Sequence, residues 1–143
     1  MPRQMWTLTQ SDASFLVDRA IEAAAGMGVR VTVVVVEASG VPLALLRMDD
    51  TKPASVHVAQ AKAWTAALFQ RPSGDYGPTT APGAIAYGLP NAFPGWMVPL
   101  IGGQPIVAAG VCIGGIGVSG ATGEQDDGIA QAATAAFAQR AVA

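Results

Sequence analysis

Six consecutive β-branched residues, Val31-Thr32-Val33-Val34-Val35-Val36, constrain the fold of this chain more than any other feature. β-Branched side chains fit the pleated surface of a sheet and lower helix propensity, so the run predicts a β-strand. Because the run is almost continuously apolar, we expect the strand to be covered on both of its faces. The turn residues Ala38-Ser39-Gly40 follow, and 41–48 is predicted as a second strand that completes a hairpin.

Three further segments have the pattern of helices. The first follows the N-cap Thr9 and is expected to stop at Gly26 and Gly28. The second spans 53–69, with a proline in its first turn, and it is apolar nearly all round, which is typical of a buried helix. The third is rich in alanine and covers about 124–139.

The rest of the chain is read as a long loop followed by strands. The loop covers 73–94 and is rich in Gly, Pro and Thr, whereas 96–101, 105–109 and 111–119 are predicted as strands. The order is helix, hairpin, helix, loop, three strands and helix. It predicts an α+β fold in one domain over 1–143, with an antiparallel sheet of about five strands flanked by helices.

The composition restricts the partners that we expect. Charged residues make up 13% of the chain, compared with about 25% in average soluble domains, and hydrophobic residues make up 51%. Obligate subunit interfaces are depleted in charge, so we expect a homo-oligomer. A net charge of −2 with eight dispersed basic residues gives no footprint for nucleic acid. No apolar run is long enough to cross a membrane and no secretory leader is evident, so we expect a cytoplasmic protein.

The chain has one cysteine, Cys112, and one histidine, His57. One cysteine forbids an intrachain disulfide, and one histidine excludes metal clusters that need several imidazoles. Cys112 is predicted to be a small buried hydrophobe. A single imidazole can still be an axial ligand to haem iron or cobalt. The surroundings of His57 also fit a hydrogen-bonded core or interface histidine, because its helical neighbours are apolar: Ala61, Trp64 and Leu68.

Lys62 lies in the middle of the apolar second helix, where an ammonium group must pair, reach solvent or line a polar pocket. Three carboxylates open the last helix in Glu124-Gln125-Asp126-Asp127, where they complement the helix dipole. Glu124 or Asp126 could also serve as a base or a polar anchor. We predict that the Lys62 ammonium lies within about 6 Å of Glu124 or Asp126, and that the two elements form one wall of the main pocket.

Two more motifs have alternative interpretations. Gly115-Ile116-Gly117-Val118-Ser119-Gly120 matches a dinucleotide-binding string, but two of its glycines fall within a strand and no second βαβ half exists. We therefore expect these glycines to let a helix or a ligand approach the sheet closely. Arg47 closes the hairpin beside Asp49, where it could form a surface ion pair or reach a ligand carboxylate.

Several stretches together are similar to one known family. They include Leu46-Arg47-Met48-Asp49, Ala61-Lys62-Ala63-Trp64-Thr65-Ala66, Phe69-Gln70-Arg71-Pro72, and the run from Ile116 to Asp126. In order and spacing the chain resembles the GlcG/HbpS family over about 8–138. This family is also called haem-degrading-domain-like, and it includes the C-terminal domain of PduO-type proteins.

The resemblance implies an antiparallel sheet of about five strands, flanked by helices, in a homo-oligomer. It also implies a link to haem or corrinoids, since members of the family are associated with binding them. The positions that match the family are Arg47, Asp49, Lys62, Glu124 and Asp126. His57 does not belong to the family pattern, so a haem role for it depends on its own chemistry.

Three functions remain open at this level. The first is a small-molecule-binding protein for haem, a corrinoid or another flat anionic ligand. In that case His57 is the metal ligand, Arg47 and Lys62 hold the anionic groups, and the walls are aromatic: Trp64, Phe93 and Trp96. The second is a cofactor-independent isomerase, cyclase or lyase that acts on a small anionic metabolite with Lys62 and Glu124 or Asp126. The third is a non-catalytic accessory or assembly subunit.

Overall fold

The computed structural model describes residues 1–142. Its strands come in two consecutive pairs, with a helix before, between and after them, and three short helical turns lie between α2 and β3. In chain order they are α1 (Gln10–Met27), β1 (Thr32–Glu37), β2 (Pro42–Arg47), α2 (Ala54–Phe69), a 3₁₀ turn (Ser73–Tyr76), α3 (Gly77–Thr80), a second 3₁₀ turn (Leu89–Ala92), β3 (Gly103–Ala108), β4 (Val111–Ser119) and α4 (Gly123–Val142).

The strands form one antiparallel sheet in the order β2-β1-β4-β3, which confirms the predicted α+β class. The sheet has four strands, because the segment predicted as a strand over 96–101 is irregular. The polar backbone groups of this irregular segment form hydrogen bonds with side chains outside the sheet. The Val98 N–H donates to Thr65 Oγ1 at 3.0 Å, and the Leu100 carbonyl accepts a hydrogen bond from the Ser73 hydroxyl. These contacts hold the segment against α2 and the following 3₁₀ turn.

β1 is covered on both faces, as its unbroken β-branched run predicts. Val33 and Val35 face a core formed with α1 and α4, whereas Val34 and Val36 face α2. All four side chains are fully buried. The molecule therefore has three layers, with α1 and α4 on one side of the sheet and α2 on the other.

Glycines in β4 let α2 lie directly on the sheet. A Cβ atom on Gly117 would fall 2.0 Å from the Ala59 carbonyl oxygen, and one on Gly115 would fall 2.4 Å from that of Ala63. Real Cβ atoms do not come this close to backbone atoms, so only glycine fits at these two positions. The expectation that these glycines permit a close approach is confirmed, and the partner is a helix.

Both ends of α1 agree with the prediction. Thr9 caps α1 in a capping box, in which its side chain accepts from the Asp12 N–H and the Asp12 carboxylate accepts from the Thr9 N–H. Gly28 ends this helix in the left-handed conformation, with φ 69°. α4 continues beyond the predicted end at Gln139. Among residues 1–142, no helix is both long enough and apolar enough to cross a membrane.

Candidate functional site

A buried ion pair joins α2 to the first turn of α4. Lys62 Nζ donates to Asp126 Oδ2 at 3.1 Å and to the Val118 carbonyl oxygen at 2.9 Å. Each side chain of the pair is only 4% exposed. The predicted proximity of Lys62 to the acidic turn is confirmed, and Asp126 is the partner.

Local backbone geometry holds the pair in place. Asp126 uses its second carboxylate oxygen, Oδ1, to accept the Ala121 N–H at 3.0 Å, which fixes the side chain against the loop before α4. Gly102 covers the ammonium from the other side, since a Cβ at this position would lie 2.7 Å from Lys62 Nζ. Its φ of +127° also disfavours any other residue. Nothing in the pattern of the sequence distinguishes Gly102 from the other glycines, so this role could not be predicted.

A cavity of about 650 Å³ adjoins the pair. Its walls come from α2, from the helical turns around 73–80, from the irregular segment before β3, and from the loop that leads into α4. The lining residues are Val58, Lys62, Gly74, Gly77, Pro78, Pro99, Leu100, Ile101, Ser119, Ala121, Gly123 and Asp126. Lys62 and the acidic turn therefore share a pocket wall, as predicted.

Glu124 takes no part in this wall. Glu124 is exposed and does not line the cavity, although it lies only two positions before Asp126. One turn of a helix spreads successive side chains over different directions, so only one of the two carboxylates faces inward. Of the two candidate acids, Asp126 alone lies at the cavity.

His57 borders a different recess, on the outer side of α2. The recess has a volume of about 290 Å³ and is lined by α2 and the loop before the irregular segment: His57, Gln60, Ala61, Pro94, Gly95 and Trp96. His57 is exposed, and Trp96 is 50% exposed. Of the proposed cofactor-binding residues, the structure brings these two together.

Trp64 packs behind this recess and does not line it. Its ring centroid lies 5.4 Å from that of Phe93 and 5.9 Å from that of Trp96, in tilted arrangements that aromatic pairs favour. Phe69 completes the cluster, at 5.6 Å from Phe93. The cluster attaches the loop around Trp96 to α2, so Trp64 supports the recess from behind.

Arg47 lies at a third place. It ends β2 opposite Thr32 and borders an open groove of about 590 Å³ with Arg30, Asp49 and Asp50. His57, Lys62 and Arg47 thus each border a different cavity. The hypothesis that Arg47 and Lys62 hold one ligand between aromatic walls is not supported by this arrangement, because Lys62 faces inward from α2 and is already paired.

Cys112 is the remaining candidate nucleophile among the residues singled out above. Cys112 is half-buried in β4, and burial raises the pKa of its thiol, which lowers the fraction of nucleophilic thiolate. Within the described part of the chain, no group of three or more His, Cys, Asp or Glu side chains could hold a metal ion.

The fold is an α+β domain with separate cavities beside His57, Lys62 and Arg47. The chain belongs to the HbpS-like family, since the model described as "haem degrading protein HbpS-like" matches residues 8–135.

The proteins similar to this chain include a corrinoid adenosyltransferase and a domain crystallised with haem. The chain is 37% identical over 130 residues to the corrinoid adenosyltransferase PduO of Salmonella typhimurium. The matched residues make up 91% of this chain and 39% of that protein. This chain thus spans about two fifths of that relative's length. The crystal structure of a PduOC–haem complex matches with 37% identity and a TM-score of 0.87, covering 92% of this chain and 95% of the other.

A third comparison supports the fold over almost the whole chain. The crystal structure of the Klebsiella pneumoniae protein ORFY has a TM-score of 0.92 and 30% identity, and covers 95% of this chain and 94% of the other.

Proposed function

We propose that the protein binds haem or a related tetrapyrrole, with the His57 imidazole as the axial ligand. The observation that carries this proposal is the recess in which an exposed imidazole and an exposed indole border the same space. Imidazole nitrogen is the usual axial ligand of haem iron, and a flat indole can pack against a flat macrocycle. The PduOC–haem complex supports the same ligand class.

The residues around the recess fit such a ligand. His57 supplies the donor atom, and the other walls are largely apolar: Ala61, Pro94 and Trp96. A volume of about 290 Å³ is at the lower end of small-molecule pockets, so the recess can hold only part of a macrocycle. We infer that a second subunit covers the rest, in line with the expected homo-oligomer. A cytoplasmic location stays a prediction.

A corrinoid is the alternative ligand for the His57 imidazole. Cobalt accepts an axial imidazole as iron does, so His57 could serve either metal. The link to corrinoids comes from the PduO relative, of which this chain covers a minor part. The accessory-subunit hypothesis is favoured only if neither tetrapyrrole binds.

The test is a titration of the protein with haemin, followed by the Soret band. We expect saturable binding with a shifted band in the wild type, and loss of that shift in His57→Gly. Added imidazole should restore the shift, because it can occupy the space left by the side chain. Gln60→Ala, a change in the same recess that spares the imidazole, should keep the shift. A parallel titration with hydroxocobalamin separates haem from corrinoid preference.

The outcome that contradicts the axial role is equally clear. If His57→Gly binds haemin with the wild-type spectrum, then another residue is the ligand. If the wild type shows no saturable spectral change with haemin or with hydroxocobalamin, tetrapyrrole binding itself is wrong.

A further inference from the structure

The cavity beside Lys62 and Asp126 is separate from the proposed haem site, because none of its lining residues borders the His57 recess. Its volume of about 650 Å³ lies well within the range of small-molecule pockets. We propose that it is a second binding site, for a small uncharged molecule that carries one carbonyl or hydroxyl oxygen on an apolar body.

Lys62 supplies the hydrogen-bond donor of this site. An ammonium group has three N–H donors, and the contacts with Val118 and Asp126 use two of them. The third is left for an acceptor on the ligand. The Ser119 hydroxyl lines the same cavity and can donate or accept. An oxygen atom with free lone pairs is the group that this pair of donors recognises.

Asp126 is a positioning residue in this site. Both of its oxygens accept hydrogen bonds within the chain, one from Lys62 and one from the Ala121 N–H. It therefore holds the ammonium in place, and it has no oxygen left without a partner. The site is built to bind a ligand oxygen at Lys62.

The charge balance selects an uncharged ligand. Of the described residues that line the cavity, Lys62 and Asp126 alone are charged, and together they carry no net charge. An anion would give up its hydration without meeting an unpaired cation, which disfavours it. The other large lining side chains are apolar: Val58, Pro78, Pro99, Leu100 and Ile101. The charge balance thus argues against an anionic metabolite in this cavity, which was the second of the three functions left open by the sequence.

Three probes of similar size test this recognition. Acetophenone, ethylbenzene and benzoate share a phenyl ring and differ in whether they carry a carbonyl oxygen or a negative charge. Each is titrated into the ¹⁵N-labelled full chain, while NMR follows the backbone amides of Gly102, Ser119 and Gly123. Acetophenone should shift these amides in a saturable way. It should bind about tenfold more tightly than ethylbenzene, because a hydrogen bond to a charged group is lost with the hydrocarbon. Benzoate should bind more weakly than acetophenone.

A double variant shows whether the ion pair is responsible. Lys62→Met with Asp126→Asn removes both charges together, and the asparagine keeps an acceptor for the Ala121 N–H. The ratio of acetophenone to ethylbenzene affinity should then fall at least about threefold, because the charged donor is lost and only neutral donors remain. His57→Gly should leave acetophenone binding unchanged, and the double variant should leave the haemin spectrum unchanged. Failure of one site is therefore distinguishable from failure of the other.

Several results would overturn the proposal. These are equal affinities for acetophenone and ethylbenzene in the wild type, tighter binding of benzoate, and amide shifts confined to the His57 recess. If the double variant does not fold, the wild-type probe series decides the question alone.

Discussion

At the level of single residues, the Lys62–Asp126 pair connects two elements that lie on opposite sides of the sheet. Removing one partner of a buried pair leaves an uncompensated charge on a side chain that is almost fully buried. We therefore expect Lys62→Met to lower the free energy of unfolding by about 3–5 kcal/mol. Urea denaturation followed by circular dichroism measures this change.

Two controls separate the pair from the loss of a lysine in general. Lys52→Met changes an exposed lysine and should leave the stability within about 0.5 kcal/mol of the wild type. The double variant Lys62→Met/Asp126→Asn should recover most of the lost stability, because no buried charge remains unpaired. If the single and double variants were equally unstable, the loss would come from packing and the electrostatic account would be wrong.

At the level of elements, the contact of α2 with β4 depends on glycine. In Gly117→Ala the new methyl group would meet the Ala59 carbonyl, which belongs to the helix backbone and cannot move aside alone. We expect this variant to lose more than about 3 kcal/mol or to remain unfolded, since overpacking at a rigid contact displaces the whole helix. Thermal unfolding is the measurement.

The matched control for that variant is Gly26→Ala. Gly26 lies in α1, and nothing lies within 4 Å of the position of its missing Cβ. This change should be neutral or stabilise by about 0.5–1 kcal/mol, as alanine favours a helix. Comparable losses for the two variants would contradict the close-approach account.

The hairpin between β1 and β2 has a pH-sensitive contact. The Ser39 hydroxyl donates to Glu37 Oε1, and this hydrogen bond lowers the pKa of Glu37 from its usual 4.5, assisted by the backbone N–H groups of Ser39 and Val41. A lowered pKa in the folded state contributes stability that is present above the unfolded pKa. That contribution is lost as the pH falls through the folded pKa.

We therefore expect Ser39→Ala to reduce the dependence of unfolding free energy on pH between about 3 and 5. The effect should be small, because Glu37 is only partly buried and water screens its contacts. Urea denaturation over this pH range measures it. A pH profile identical to that of the wild type would show that the Ser39 hydroxyl has no influence on Glu37.

The comparison of sequence with structure shows which elements could be predicted. β1 and α2 follow from their own residues, because a run of β-branched side chains and an apolar helix are local signals. The Lys62–Asp126 pair could be predicted as well. A buried ammonium needs a carboxylate partner, and the chain has few carboxylates that could supply one. The segment 96–101 could not, because its hydrogen bonds go to Thr65 and Ser73, far away in the sequence.

The sequence also could not predict that the proposed site residues border different cavities. His57 and Lys62 lie on the same helix, and their spacing alone does not say which cavity each one borders. The glycines of β3 and β4 decide this, since they let α2 settle with Lys62 towards the sheet and His57 towards the outer recess. Such close contacts depend on the whole packing arrangement.

At the level of the whole molecule, charge is absent from a long continuous part of the chain. From Tyr76 to Gly123 no residue is charged. This part carries several exposed large hydrophobic side chains: Ile85, Tyr87, Trp96, Leu100, Ile101, Val107 and Val111. Exposed apolar surface without charge is typical of a surface that another subunit covers.

We predict a homo-oligomer in solution, measured by size-exclusion chromatography with light scattering. Ile85→Asp should shift the equilibrium towards the monomer without unfolding it, because Ile85 is 99% exposed in the single chain. Ala132→Asp, a charge added at an exposed position of α4, should leave the oligomer intact. A wild-type protein that is monomeric at micromolar concentration would contradict this prediction.

The central claim is that the recess beside His57 holds the metal of a tetrapyrrole. Crystals of the full chain grown with haemin allow the iron to be located directly, from its anomalous scattering. The account predicts one iron site per chain, at bonding distance from a ring nitrogen of His57 and next to Trp96. Iron found beside the Lys62–Asp126 cavity, or anywhere out of reach of the His57 imidazole, would contradict it.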